Sequence, residues 1–284
     1  MSTLPDTSDD TLVEQHDGLV VVTLSRPEKK NAIGSRIWAD LDAVLNEVTV
    51  EPSCRALLLT GAGGNFSSGA DLSPGMGNEP AGEAGTDGKR SGGGLTGRGA
   101  QAVLHEMRTI GEVLAKLQRL PKPTVAAVDG VCYGVGFGLA MACDLVVASD
   151  RARFCEVFVK RGMAVDGGTS WTLPRAIGTR RAKQMAYFGE PVDAATALDW
   201  GLINEVVPSD DLADTGLAWA QRLASGPTTA LSLIKRLIDG SDGSSFADAI
   251  EDEARAQHIA FTTKDIQEGI GSFLEKRDPN FRGF

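Results

Sequence analysis

The sequence is poor in the residues that mark several functional classes. It has 3 histidines in 284 residues, and His16, His105 and His258 are too scattered to suggest a metal site. Its 4 cysteines, Cys54, Cys132, Cys143 and Cys155, form no Cys-x-x-Cys pair. Three of them lie in apolar surroundings, so they read as small core residues rather than disulfides or ligands. Basic residues are outnumbered: 28 Lys and Arg face 38 Asp and Glu, a net charge of −10. That balance argues against nucleic acid and against a polybasic membrane patch. The longest apolar run, Val131–Cys143, is shorter than the ~18–20 residues a membrane span needs. The opening MSTLPDTSDD has neither a basic n-region nor an apolar h-region, so a cytoplasmic protein without a secretory signal is the default expectation.

What the chain has in surplus is glycine. There are 34 glycines in 284 residues, or 12%, against an average near ~7%. Ten of them fall between Gly75 and Gly99. The stretch 73–100 is almost free of apolar residues, and its composition favours a surface-loop insertion over a packed element. Patterned sequence resumes on both sides of it.

Strands are expected at Leu19–Leu24, Arg55–Thr60, Thr124–Val128 and Asp144–Ala148. Helices are expected through Ile37–Val48, with Ser35 as its cap, through Val103–Leu117, stopped by Pro121 and Pro123, and at Phe137–Cys143. Alternating apolar strands and helices predict an α/β core with buried sheets. From about Asp193 the strands run out and five helical patterns follow. The expected organisation is a core over 1–205 and a helical C-terminal region over 206–284.

Three glycine-containing turns each follow a strand, at Gly61–Leu72, Asp129–Gly138 and Arg161–Gly168. Glycine allows close backbone approach, and a turn that opens a helix leaves N–H groups unpaired. Two facing turns of this kind suit a carbonyl oxygen that becomes negative during reaction. Taken singly, each is also what any tight turn in a packed α/β protein looks like.

The turns occur in a particular order with other motifs. Arg26-Pro-Glu-Lys-Lys-Asn-Ala-Ile33 follows the first strand, and Phe66-Ser-Ser-Gly-Ala-Asp-Leu72 follows the second. Then come Lys122-Pro-Thr-Val-Ala-Ala-Val-Asp-Gly130 with Gly134 to Asp144, Val165-Asp-Gly-Gly-Thr-Ser-Trp-Thr-Leu-Pro174, and Phe273-Leu-Glu-Lys-Arg277. From about Val20 to Phe284 the chain resembles the crotonase family, the enoyl-CoA hydratase/isomerase superfamily. The resemblance implies a spiral of strand–strand–helix repeats and a helical C-terminal trimerisation region. It implies a homo-trimer or a dimer of trimers. It also implies an acyl-CoA thioester as substrate and no separate cofactor, because CoA is part of the substrate.

Motif by motif, the resemblance makes the Ala70 and Val135 backbone N–H groups the oxyanion hole for a thioester enolate, with the short helix after Gly136 aimed at it. Arg26, Lys29 and Ala32 match the segment near the adenine and phosphate end of CoA. Ser68, Ala70 and Asp71 match the segment along its pantetheine, and Gly134 opens the second turn. Lys276 matches a residue able to reach a CoA phosphate, from a neighbouring subunit in some assemblies. For Arg26, Lys29 and Lys276 the alternative is solvated surface charge.

Acids decide the reaction. The two glutamates of family hydratases fall at Gly138 and Phe158, neither of which moves protons. Asp166 matches an aspartate that several family isomerases use to shuttle a proton. Phe137, Phe158 and Met163 are expected around it and raise its pKa. The rival for Asp166 is a plain Asp-Gly turn, and a nucleophilic aspartate also has family precedent. Glu156 stands two residues before Phe158, so in an extended strand it faces the same side and becomes a possible accessory acid. The favoured reaction is enoyl-CoA double-bond isomerisation. Hydration of 2-enoyl-CoA and a non-catalytic acyl-CoA-binding scaffold are the rivals. A dinucleotide site rests only on Gly134-x-Gly136-x-Gly138, which is not the Gly-x-Gly-x-x-Gly pattern.

Overall fold

The computed structural model describes residues 4–73 and 100–284. The glycine-rich insertion expected at 73–100 therefore lies, apart from its two end residues, outside the described residues. Six strands form one sheet: β1 (Thr11–His16), β2 (Leu19–Leu24), β3 (Ala56–Gly61), β4 (Thr124–Val128), β6 (Leu145–Ser149) and β9 (Glu205–Val207), side by side in that order. The β1–β2 pair is antiparallel, and the other neighbours are parallel. A second sheet joins β5 (Val131–Tyr133), β7 (Arg153–Cys155) and β8 (Val192–Asp193). Single bridges Ile33–Ala70 and Ser67–Cys132 extend it towards the start of the chain.

The spiral follows from this alternation. The chain runs from β4 in the large sheet to β5 in the small one, then into α3 (Val135–Met141). It returns through β6 to β7 and passes into α4 (Thr169–Phe188). Each turn adds one strand to each sheet and closes with a helix, as the crotonase resemblance implies.

The inner strands β2, β3, β4 and β6 are buried on both faces and read as near-continuous apolar runs for that reason, whereas the outer strands β1 and β9 are partly exposed. Side chains of Val20, Val22, Leu57, Leu59 and Ala126 share one core cluster with Ile37, Leu41, Val44 and Val48 of α1 (Ser35–Val50) and with Val113 and Leu117 of α2 (Ala100–Gln118). Their alternates Leu19, Ala56, Leu58, Val125 and Ala127 share a second cluster with Leu212, Ala220 and Ala224 of α6 (Leu212–Ala224). All four cysteines are free and buried.

Several expectations need correction. Ser35 is the first residue of α1 rather than its cap; Gly34 holds that position and no side chain caps there. β1 was not expected, yet Asp17 and Gly18, both at positive φ (47° and 85°), turn it back on β2. Asp-Gly between two strands is a strong hairpin signal. The strands also do not run out at Asp193. β9 is a short edge strand paired with β6, and it spans the border expected at 205/206. α6 then supplies core side chains, so the helical region shares the sheet's core. Beyond it stand α5 (Ala194–Trp200), which precedes β9, and α7 (Thr228–Gly240), α8 (Phe246–Ala260) and α9 (Lys264–Glu275), which follow α6. The last three leave Ile234, Ile238, Phe246, Phe273 and Leu274 exposed. Among the described residues no helix is long and apolar enough to cross a membrane.

Candidate active site

The carboxyl ends of β2, β3 and β4 all feed one region, where open parallel sheets bind ligands. Three loops meet there. Segment 26–33 is stitched to segment 67–71 by backbone bonds: Ser68 N–H to Lys30 at 2.8 Å, Ile33 N–H to Gly69 at 2.8 Å and Asp71 N–H to Ile33 at 3.0 Å. The Ser68 hydroxyl donates to the Lys29 carbonyl at 3.0 Å. Asn31, fully buried and at φ 55°, locks the corner. Its amide donates to the Ala62 and Asn65 carbonyls at 2.8 and 2.7 Å, and its oxygen accepts from the Arg26 N–H at 2.8 Å. Sequence reasoning assigned Asn31 no role, although asparagine's tolerance of positive φ was a usable signal.

The charges of this half neutralise one another. Asp71 receives Arg26 at 3.0 Å and Lys29 at 3.1 Å. Burial opposes ionisation of Asp71, but hydrogen bonds from Ser73, Lys29 and Arg26 outweigh it and hold the carboxyl well below the usual range. The Arg26 guanidinium is buried and also donates to the Ala32 carbonyl at 2.8 Å. Arg26 is thus neither solvated surface charge nor a free phosphate ligand. Lys29 is partly exposed and stays within reach of solvent.

The second loop meets the third at closest backbone range. Ser67 accepts from the Tyr133 N–H at 2.9 Å and donates its own N–H to Val131 at 2.9 Å. Gly69 sits at φ 97°, and a Cβ there would lie 2.9 Å from the Tyr133 carbonyl. A Cβ on Gly136 would lie 2.5 Å from the Ser67 side chain. The turns carrying Ala70 and Val135 are therefore adjacent, with Gly134 at φ 54° between β5 and α3. Among the described residues neither the Ala70 nor the Val135 N–H has an intramolecular acceptor.

The loop before α4 completes the region. A Cβ on Gly138 would fall 2.6 Å from the Gly167 carbonyl oxygen and 2.7 Å from its Cα. Gly167 in turn lies against Val135, 3.6 Å from where its own Cβ would be. The Asp166-Gly167-Gly168 turn thus fills the space a side chain at 138 would need, and it sets Asp166 beside the Val135 turn. The Thr169 hydroxyl and N–H both donate to the Asp166 backbone carbonyl, at 2.8 and 3.2 Å. The Asp166 side chain has no such support: its buried Oδ1 has no hydrogen-bond partner among the described residues. Burial pushes its pKa up to about 6. Of the expected apolar neighbours, Met163 lines the same cavity as Asp166. Phe158 is buried towards Gly134, and Phe137 packs in the core on Phe154.

Glu156 is fully buried, and among the described residues neither carboxyl oxygen has a hydrogen-bond partner. Burial pushes its pKa up to about 8; the nearby Thr169 hydroxyl lowers it, and the Asp166 charge raises it further. The strand-register argument that linked it to Phe158 fails. β7 ends at Cys155, and Val157–Arg161 form a short 3-10 helix, so alternation stops before Glu156.

Asp166 opens onto a cavity of about 1070 Å³. Met107, Ile110 and Leu114 of α2 line it, with Trp171 of α4 and Lys235 of α7. These walls were not anticipated, because helices far apart in sequence build them. Lys276 is exposed at the end of α9, at φ 54°. The tail after it is tied to the start of β3, through Arg55 to the Phe281 carbonyl at 3.2 Å, at the opposite end of the sheet. The single chain does not bring Lys276 to the other residues. Among the described residues no group of three His, Cys, Asp or Glu side chains is placed to hold a metal.

A family model for enoyl-CoA hydratase/isomerase matches residues 14–283. The chain belongs to this family. The 1,2-epoxyphenylacetyl-CoA isomerase of Escherichia coli K12 is 35% identical over 266 residues, covering 94% of this chain and 95% of that protein. A probable enoyl-CoA hydratase of Rhodobacter capsulatus is 35% identical over 270 residues, covering 95% and 96%. The solved enoyl-CoA hydratase of Bacillus anthracis superposes with a TM-score of 0.85 at 27% identity, covering 97% of this chain and 100% of that one. The crotonase fold and the family are thereby fixed. The relatives carry both hydratase and isomerase names.

Proposed function

We propose that this crotonase shifts the double bond of an enoyl-CoA ester, with Asp166 as the acid and base. The observation that carries the reading is the contact of Gly167 with Gly138. It leaves no room at 138 for a hydratase glutamate, and it brings the Asp166 carboxyl, with its unpaired Oδ1 and open to the cavity, beside the Val135 turn. Phe158 removes the second glutamate.

In the proposed mechanism the thioester oxygen accepts from the Ala70 and Val135 N–H groups. The Asp166 carboxylate takes the proton from C2 of a 3-enoyl-CoA. The electron pair moves onto the thioester oxygen and forms the dienolate. Asp166 then returns the proton at C4, which leaves the 2-enoyl-CoA. Each oxyanion donor contributes about 3–4 kcal/mol to the transition state in comparable sites. A carboxyl with its pKa near 6 is mostly ionised at pH 7, yet a better base than an ordinary aspartate. The Arg26–Asp71 clamp holds the Ala70 strand in place, and Lys29 is the side chain of that half still open to a CoA phosphate. No resident cofactor is required. The exposed apolar side chains of α7, α8 and α9 support assembly into trimers.

The test is turnover of 2-enoyl- and 3-enoyl-CoA esters with the products identified. Isomerisation is expected, with Asp166→Asn losing at least about 10³-fold in kcat while CoA-ester binding is kept. Hydrated product from the wild type, or full activity in Asp166→Asn, would overturn the reading.

A further inference from the structure

Glu156 has no part in that mechanism, yet its placement is costly. A carboxyl with both oxygens buried and unpaired is rare in a native core and calls for an explanation. Its surroundings tie it to the site from two sides. Thr169, which feels the Glu156 carboxyl, is the residue whose hydroxyl and N–H hold the Asp166 backbone. Cys132 of β5, which also feels it, lies under the oxyanion turn with its Sγ 3.8 Å from the Gly136 carbonyl. Three of the four carboxyl oxygens of Glu156 and Asp166 are orphaned.

The groups facing Glu156 from the packed elements are Cys132 of β5, Cys155 of β7, Asp166 and the Thr169 hydroxyl. None of them is cationic. Lys160 and Arg161 are exposed on the next turn and act on Cys155. A buried acid that feels a second carboxylate and faces no cation does not ionise readily.

We propose that Glu156 and Asp166 form a carboxyl pair that works with one proton on it: Asp166 is the base that meets substrate, and Glu156 is a neutral acid sealed behind it that must stay protonated for turnover. Glu156 is a positioning residue, because it touches no substrate and acts through Asp166 and the Val135 turn. Cys155, the residue before Glu156, accepts from the Gly134 N–H at 2.9 Å, so ionisation of Glu156 would add an uncompensated negative charge close to the turn at which the enolate oxygen also becomes negative. That raises the barrier at the step the oxyanion hole serves. The inference rests on Asp166 being the base.

The pair predicts a bell-shaped profile of kcat/KM against pH. Activity rises as Asp166 ionises near pH 6 and falls as Glu156 ionises near pH 8. In Glu156→Gln the acid limb remains and the alkaline limb disappears. Relative to each protein's own value at pH 7, the variant at pH 9 exceeds the wild type by about tenfold. An unchanged alkaline limb in Glu156→Gln, or a wild type with no such limb, overturns the proposal. A purely structural role would lower activity without removing the limb. Carbon-13 NMR of glutamate-labelled wild type gives a check that needs no variant. One glutamate carboxyl still protonated at pH 7 supports the pair, and titration of every glutamate below pH 6 overturns it. Full activity in Asp166→Asn would instead sink the base assignment. An inactive Asp166→Asn with an unmoved Glu156→Gln profile sinks the pair alone.

Discussion

The two halves of the site treat their charges in opposite ways. Around 26–33 and 67–71, Asp71 is 3% exposed at its side chain and Arg26 is 7% exposed, and each has its counter-charge within about one hydrogen bond. Around 156–168, Glu156 is fully buried and Asp166 partly so, but among the described residues their three orphaned oxygens have no hydrogen-bond partner. The first half holds its carboxyl ionised far below neutral pH. The second pushes its two carboxyls towards neutral pH by burial. Burial alone does not mark chemistry. A buried charge with partners builds a scaffold, whereas a buried acid without them is free to move a proton.

The sharpest way to break this comparison is Asp71→Ala. It leaves the buried guanidinium with the Ala32 carbonyl and the more distant Asp10, 3.7 Å away, and removes the clamp between the first two loops. The expected loss is about 2–3 kcal/mol of stability, below that of a fully uncompensated buried charge, read as a lower midpoint in urea, with KM rising more than kcat falls. Unchanged stability with a lost kcat would put Asp71 among the chemical residues and erase the distinction.

Gly138→Ala should do less to the fold and more to the reaction than its size suggests. The new Cβ meets Gly167 backbone rather than a flexible side chain. Overpacking of this kind costs about 1–3 kcal/mol, and the Asp166 turn is what must move. Isomerisation should fall without any hydrated product. Hydration appearing in Gly138→Glu would show that the space can be made and that the absent glutamate was a matter of chemistry alone.

Much of the scaffold was legible because it is local. β2, β3 and β4 are apolar runs whose alternate residues face the α1–α2 layer and the α6 layer. The adjacency of the Ala70 and Val135 turns came from motif order rather than from spacing. What stayed hidden depends on contacts distant in sequence or on one local irregularity. Arg26 read as a CoA contact or as solvated surface charge because its partner, Asp71, belongs to the next loop. Lys276 was expected near a CoA phosphate of its own or of a neighbouring subunit, and its own chain ties that tail to the far end of the sheet, which leaves the neighbouring-subunit reading. Glu156 read as a neighbour of Phe158 because a 3-10 helix cannot be foreseen from a strand pattern. β9 was missed because three residues at a sheet edge carry little periodicity.

The smallest effect follows from the sign of the Asp166 shift. Its pKa rises from 3.8 unfolded to about 6 folded. The folded state therefore binds the proton more tightly, and this stabilisation is fully present below pH 3.8. It is lost as pH rises through about 6. Asparagine carries no such term. Asp166→Asn should match the wild type near pH 4 and become more stable above pH 6, by about 1 kcal/mol once partial solvent screening is allowed for. Thermal unfolding of both proteins across that range measures it. The opposite trend would mean that Asp166, like Asp71, has a counter-charge in the folded protein. The two halves would then differ in position and not in kind.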